Sequence, residues 1–341
     1  NAMTVNWMRH FELQLTDDSG TGITLSDLRV VFNIDCFNIS SQTSVGTFKI
    51  YNLADDTAQK IVGQGLTRIR VLAGYDGLAE RGGSNHGLIY SGDIRYASVG
   101  RESAVDTYVL IQAGDADLAF SNAVTVHTLA AGYTVADMNR VLMQDFARYG
   151  VTEGRTPAMP AKVYPRGRVL FGKTRWLMDE VARQCNASWM FVDGQRVMLA
   201  KGEYMHEAVE LNSETGLVGT PTQTIGKGLN VRCLINPKIR TNGLIRLTQG
   251  EVIINQQPLP DAEVAKGSGH RGESIKSGNR QAALPDPKAR LASIATDGVY
   301  IVRGINYRGD TRGQEWYMDM VCEARGADDL YSQGTMQKTT Y

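Results

Sequence analysis

Residues Gly167-Arg168-Val169-Leu170-Phe171-Gly172-Lys173-Thr174 carry the spacing G-x-x-x-x-G-K-[ST], and a helical pattern follows them. In a phosphate-binding loop of that spacing, backbone N–H groups cradle the phosphates, the lysine reaches the terminal ones and the hydroxyl binds magnesium. Gly167, Gly172, Lys173 and Thr174 are thus the candidate cofactor-binding residues. Asp193, after an apolar run, stands where a magnesium-organising carboxylate would sit. Together they would make a small nucleotide hydrolase. The flanking residues point the other way. Such a loop follows a buried strand, yet Pro157, Pro160 and Pro165 interrupt the preceding run, and proline cannot donate to a central ladder. Val169, Leu170 and Phe171 in a row read as a strand. In the competing assignment Thr174 is a helix N-cap, Lys173 is solvated and Asp193 belongs to a turn.

Other chemistry-bearing residues are scattered. Gly267-Ser268-Gly269-His270-Arg271-Gly272 has dinucleotide glycine spacing, but no strand precedes it and no amphipathic helix follows, so the βαβ context is missing. His206-Glu207 opens like a zinc-protease motif and then fails, because Glu210 stands where the second histidine belongs. His10, His86, His127 and His270 are dispersed. Asp55 and Asp56, or Asp115 and Asp117, could pair for glycoside cleavage only if the fold aimed them at one bond. Cys36, Cys185, Cys233 and Cys322 have neither disulfide nor zinc spacing, and read as reduced thiols of a protein folded in the cytoplasm. No catalytic residue, cofactor or metal is expected.

The elements that would hold such residues are mostly strands. Leu28, Val30, Phe32, Ile34 and Cys36 alternate with mostly polar neighbours, as do Phe11, Leu13 and Leu15, which puts one face of each run on a core. Asp56 and Gln59 have capping-box spacing for one short helix, stopped by Gly63 and Gly65. The period then changes. Val135, Met138, Val141, Leu142, Phe146 and Tyr149 recur at helical steps behind a Thr134 cap. A second helix spans Thr174–Cys185, and Asp193-Gly194 between two apolar runs is a hairpin signal. Strand patterns resume at Leu217. Gln256–Arg290, rich in proline and glycine, reads as a long loop or small appendage, and Ser332–Tyr341 as a frayed end.

The chain has 341 residues, 42% of them hydrophobic, enough for two or three cored domains. Lysine plus arginine equals aspartate plus glutamate at 36 each, and that balance gives no sign of a phosphate-gripping surface. No apolar run reaches the roughly 18–20 residues of a membrane helix, so a soluble chain made in the cytoplasm is expected. Asn1-Ala2 before Met3 look like a tag scar.

One strand-turn-strand grammar occurs twice. Ile69-Arg70-Val71-Leu72-Ala73-Gly74-Tyr75-Asp76-Gly77 precedes Ile89-Tyr90-Ser91-Gly92-Asp93-Ile94. Near the end, Val231–Pro237 and Gly243–Leu247 lead to Val299–Val302 and to Gly309-Asp310-Thr311-Arg312-Gly313-Gln314-Glu315-Trp316. Gly74, Asp76, Gly77, Gly92, Asp93, Gly309, Asp310 and Gly313, with Asp193 and Gly194, are read as structural turns. These phrases resemble the baseplate hub proteins of contractile-tailed bacteriophages and prophages, related to the hub part of type VI secretion spikes. The chain ends straight after the second set of strands, which favours a free-standing hub over a longer spike.

That resemblance implies a mainly β fold with an α+β insert and two tandem small antiparallel β-barrels. Residues 3–120 would form the first barrel and 121–210 the insert. Residues 211–254 and 291–341 would form the second barrel, interrupted by a flexible loop or appendage at 255–290. It also implies a homotrimer whose six barrels form a ring between the six-fold tail tube and the three-fold central spike. Its partners would be itself, the tube protein, the spike protein and other baseplate proteins. DNA would be passing cargo only. The protein would assemble in the bacterial cytoplasm and reside in the tail baseplate of the virion, without inserting in a membrane.

Overall fold

Apolar residues at every second position make the body of the molecule a sheet. The computed structural model describes residues 8–36, 42–63, 65–78, 84–223, 228–248, 252, 254–256, 274–277, 280–283, 295 and 297–325. The first unit contains β1 (Arg9–Thr16), β2 (Gly22–Leu25), β3 (Val30–Cys36), β4 (Val45–Tyr51), α1 (Asp55–Val62), β5 (Arg68–Leu78), β6 (Ser84–Arg101) and β7 (Thr107–Gly114). Leu13, Leu15, Phe48, Ile50, Ile69 and Val71 are wholly buried in its core, each contributing about 1.5–3 kcal/mol relative to an exposed position. Helix α1 lacks the expected capping box. Its N-cap is Ala54, with no side-chain cap, and Asp55 and Asp56 fall in the first turn, where their charge suits the helix dipole.

The insert contains α2 (Asp117–Asn122), β8 (Val124–Leu129), α3 (Val135–Ala147), β9 (Thr152–Glu153), β10 (Arg168–Lys173), α4 (Thr174–Gln184), β11 (Ala187–Val192) and β12 (Gln195–Ala200). Leu142, Phe146, Leu170, Met178, Val181 and Met198 belong to a core of its own. Thr134 caps α3 in a reciprocal box with Asp137. Asp193 and Gly194 both take positive φ, 53° and 76°, and close the β11·β12 hairpin as such two-residue turns require. Arg196, wholly buried, donates to Asn139 Oδ1 at 2.8 Å and Glu153 Oε1 at 2.7 Å.

The chain then returns to the sheet with β13 (Val209–Leu211), β14 (Leu217–Gln223), β15 (Leu229–Leu234), β16 (Leu244–Leu247) and β17 (Asn255–Gln256). A separate antiparallel pair, β18 (Ser274–Ser277) and β19 (Arg280–Ala283), precedes the long β20 (Val299–Asp310) and β21 (Trp316–Ala324). That pair lies inside the segment read as loop or appendage. The Gly267–Gly272 pattern and the Ser332–Tyr341 end lie outside the described residues.

Fourteen strands join one sheet, in the order β17-β14-β15-β21-β20-β3-β4-β7-β6-β5-β1-β2, with β16 also paired to β20 and β13 to β16. The mainly β body with an α+β insert is as expected. The two units, however, are not closed separately among the described residues. They share a ladder, β3 against β20, with Ile34 opposite Tyr307 and Phe32 opposite Gly309. One core runs through both. At the junction Phe11 stacks on Phe32 with centroids 5.1 Å apart, and Trp316 meets Phe32 edge-on at 5.6 Å.

Several residues read as turns lie inside strands. Gly74, Asp76 and Gly77 belong to β5, and Gly92 and Asp93 to β6. Gly74 is needed for close approach and not for reversal: its φ is 143°, and a Cβ there would sit 2.2 Å from the Asn85 carbonyl oxygen. Gly309 is likewise within β20, and Asp310 is its last residue. Gly313 stands in the turn that follows, its N–H donating to the Asp310 carbonyl at 3.2 Å. Arg29 holds that corner through the Asp310 carboxylate at 2.8 Å, and Arg9 donates to the Asp310 carbonyl at 2.9 Å. Against the burial that disfavours its charge, Arg29 and the Arg312 amide keep the Asp310 carboxyl below its ordinary range.

Candidate assembly surface

The residues of the phosphate-loop pattern do not form a loop. Arg168–Lys173 is strand β10, paired antiparallel with β8, with Phe171 opposite Val126 and Lys173 opposite Val124. An extended ladder directs alternate N–H groups to opposite sides, so it cannot converge them on a phosphate. Lys173 is the N-cap of α4, and its Nζ donates to the Ser121 carbonyl at 2.6 Å. Thr174 is the first helical residue and caps nothing. Its buried hydroxyl pairs with that of Thr125 at 2.9 Å. Gly167 precedes the strand, and Gly172 lies within it.

What this segment builds is a surface. Paired residues of an antiparallel ladder share a face, so Leu170 and Leu129 turn into the insert core while Val124, Val126, Val169 and Phe171 face outward. Val126 is 72% exposed and Phe171 77%. Among the described residues β8 and β10 pair only with each other, so no further strand extends the ribbon at either long edge. Trp176, in the first turn of α4 directly after β10, is 60% exposed, and Arg175 reaches over the Phe120 ring at 4.3 Å. An apolar face on a ribbon that no further strand extends is what protein contacts use, and what solitary proteins avoid. The alternation Val124/Val126 and Val169/Phe171 was present in the sequence. What hid it is that Leu170, on the opposite face, is apolar too.

A polar junction fixes how the insert sits on the two β units. Asp115, just after β7 and nearly fully buried, accepts from the Asp193 and Gly194 amides at 2.7 and 2.8 Å. Arg240, from the second unit, donates to the Asp193 carboxylate at 2.8 Å and to the Leu88 carbonyl of β6 at 2.6 Å. Burial and the nearby Asp193 carboxylate push the Asp115 acid up to about 8, against the pull of two amides and Arg240. Asp193 is therefore spent on Arg240 and its turn. His206, the lone half of the zinc-protease pattern, bridges the Glu207 carbonyl and the Arg240 amide at 2.7 and 2.9 Å. Asp117 pairs with Arg95 at 2.6 Å, so the Asp115/Asp117 pair is not aimed at one bond. Arg240 carried no local signal, because its partners lie far away in sequence. All four cysteines are free, and burial pushes the Cys233 and Cys322 thiols well up.

No family model matches the chain, and no curated protein does either. Solved structures do. A tail protein from Neisseria meningitidis MC58 aligns with a TM-score of 0.51 at 9% identity, over 94% of this chain and 98% of that one. The 43 kDa tail protein of prophage MuSo2 from Shewanella oneidensis aligns with a TM-score of 0.47 at 9% identity, covering 93% and 98%. An Escherichia coli type VI secretion component, described as structurally similar to phage T4 tail proteins gp27 and gp5, gives 0.47 at 10% identity over 90% and 74%. The first of these settles the fold: the chain has the fold of a tail protein, as the resemblance to tail hubs led one to expect.

Proposed function

We propose that the chain is a structural tail protein that works by geometry, as a baseplate hub in a phage- or prophage-type contractile tail. The observation that carries this reading is the tail-protein fold shared over nearly the whole of both chains. In this reading residues 3–120 and the pair 211–254 with 291–341 are two β units of one subunit, and 121–210 is the insert that mounts the apolar ribbon. A closed trimer offers six β units, so a six-fold tube can meet a three-fold spike through near-equivalent contacts, and cyclic closure keeps the assembly finite. The ribbon face of β8·β10 seats a neighbouring copy of the chain. A stable contact of this kind buries upward of about 1,000 Å², and the tube and spike proteins take the two faces of the ring.

The test is the particle itself. Light scattering and class averages of the purified protein should show a three-fold ring with a central hole. Val126→Glu combined with Phe171→Glu should give a monomer that still unfolds cooperatively, melting lower only by the stabilisation that association lends the parent. Failure to form a ring at any concentration, with tube and spike proteins present, rejects the hub. A ring that persists in the double variant keeps the hub and moves the contact elsewhere. Titration with ATP and magnesium should give no saturable heat. Binding abolished by Lys173→Ala would restore the nucleotide reading.

A further inference from the structure

On the outer face of the first β unit, three neighbouring strands bring two histidines and two carboxylates to one spot. β1 sets His10 opposite Gly74 of β5, and Gly74 is opposite His86 of β6. His10 and His86 therefore stand in one row with a glycine between them. Having no side chain, Gly74 leaves the slot across which the two imidazoles meet, with centroids 3.6 Å apart and planes 14° from parallel. Asp76, two residues along β5, shares that face, and its Oδ1 is 2.5 Å from His10 Nδ1. Glu12, two residues along β1, places Oε1 2.9 Å from His10 Nε2. One ligand atom from each of His10, Asp76 and His86 lies within 4.8 Å of the others.

We propose that His10, Asp76 and His86 bind a divalent ion of the zinc class, with Glu12 orienting His10 from behind. Two imidazole nitrogens, one carboxylate oxygen and a water form a donor set that zinc accepts, and imidazole favours it over magnesium or calcium. Asp76 is half-exposed, 51% at the side chain, which leaves room for the water. Glu12 supplies the carboxylate that metal-bound histidines characteristically carry on the far nitrogen, fixing the tautomer and strengthening the donor. Metal–ligand bonds of about 2.0–2.2 Å hold neighbouring ligand atoms roughly 3 Å apart. Asp76 and His10 must therefore separate slightly, and the rings must swing from stacked to convergent. The broad terminal torsion of histidine allows that swing. The proton that His10 Nδ1 shares with Asp76 leaves to solvent as the ion binds. The ion ties β1, the first strand, to the β5·β6 hairpin, and its presence does not depend on the hub reading.

Cobalt(II) is the probe, added to chelator-treated full-length protein and followed by its visible absorption, then displaced by zinc. One ion per chain is expected. His10→Ala and His86→Ala should each weaken binding by more than the about 10–100-fold expected for Glu12→Gln, while His127→Ala should bind like the parent. Melting curves in chelator establish that the variants are folded, and His10→Gln and His86→Gln serve if an alanine variant is not. Absence of a saturable one-to-one band overturns the site, as does a band that survives loss of both histidines.

Discussion

Two antiparallel pairs in this molecule treat their outer faces differently. On β1 and β5 the core-facing residues Leu13, Leu15, Ile69 and Val71 are wholly buried, and the outward neighbours include His10, Glu12, Gln14 and Arg70. On β8 and β10 the core-facing Leu170 is equally buried, but Val126 and Phe171 stand outward and open. A half-buried antiparallel sheet ordinarily alternates apolar-in with polar-out. The body obeys that rule through most of its length, so the ribbon is a local exception and not loose patterning. It keeps outward apolar side chains that the insert's own core does not use.

The largest contrast should come from two tryptophans. Trp316 is 1% exposed at the seam of the two units and Trp176 is 60% exposed by the ribbon. Trp316→Ala should destabilise by about 3–5 kcal/mol in denaturant unfolding, and Trp176→Ala by no more than about 0.5. Equal losses would break the comparison.

The next effect is on pH dependence. Unfolded, Asp115 loses its proton near the ordinary aspartate value of about 4; folded, it keeps it up to about 8. Across that window the native state holds the extra proton, so stability falls as pH rises. Melting temperature should decline as pH rises from about 4 to about 8 and level off above that, and Asp115→Asn should flatten the decline. Asp310 works in the opposite sense and more weakly. Its folded value lies below the unfolded one, so its contribution is present above about pH 4 and disappears as pH falls through the lowered value. Asp310→Asn should shrink the acid-side loss by a smaller amount. Val126→Glu with Phe171→Glu should change the folding stability of the single chain only slightly, within about 0.5 kcal/mol per site, although its effect on association should be complete.

Much of the body was legible because burial on one face imposes period two, and the insert because α3 imposes a helical period behind Thr134. Sequence pattern misleads where one residue type serves two ends. Glycine marks reversals, but it also permits close approach, and Gly74 and Gly92 serve the second purpose inside strands. Glycine, lysine and threonine at fixed spacing describe a phosphate loop, yet here Gly172 and Lys173 end a strand and Thr174 starts a helix. The β3·β20 ladder was invisible for another reason. Nothing local in Val30–Cys36 specifies a partner some 270 residues away. The Asp115–Asp193–Arg240 junction was hidden in the same way.

That ladder has a consequence for how the chain is made. Until β20 is synthesised, β3 has a complete partner on one side only, and its other edge is open. At about 5–20 residues per second, a separation of 271 residues leaves that edge unpaired for roughly 15–55 s. An open strand edge recruits any extended chain nearby, including the same segment on a neighbouring ribosome. The first unit is thus born incomplete, and the much later β20·β21 hairpin is the one that seals β3. Truncation ahead of Val299 should therefore give an aggregating product, not a smaller folded one.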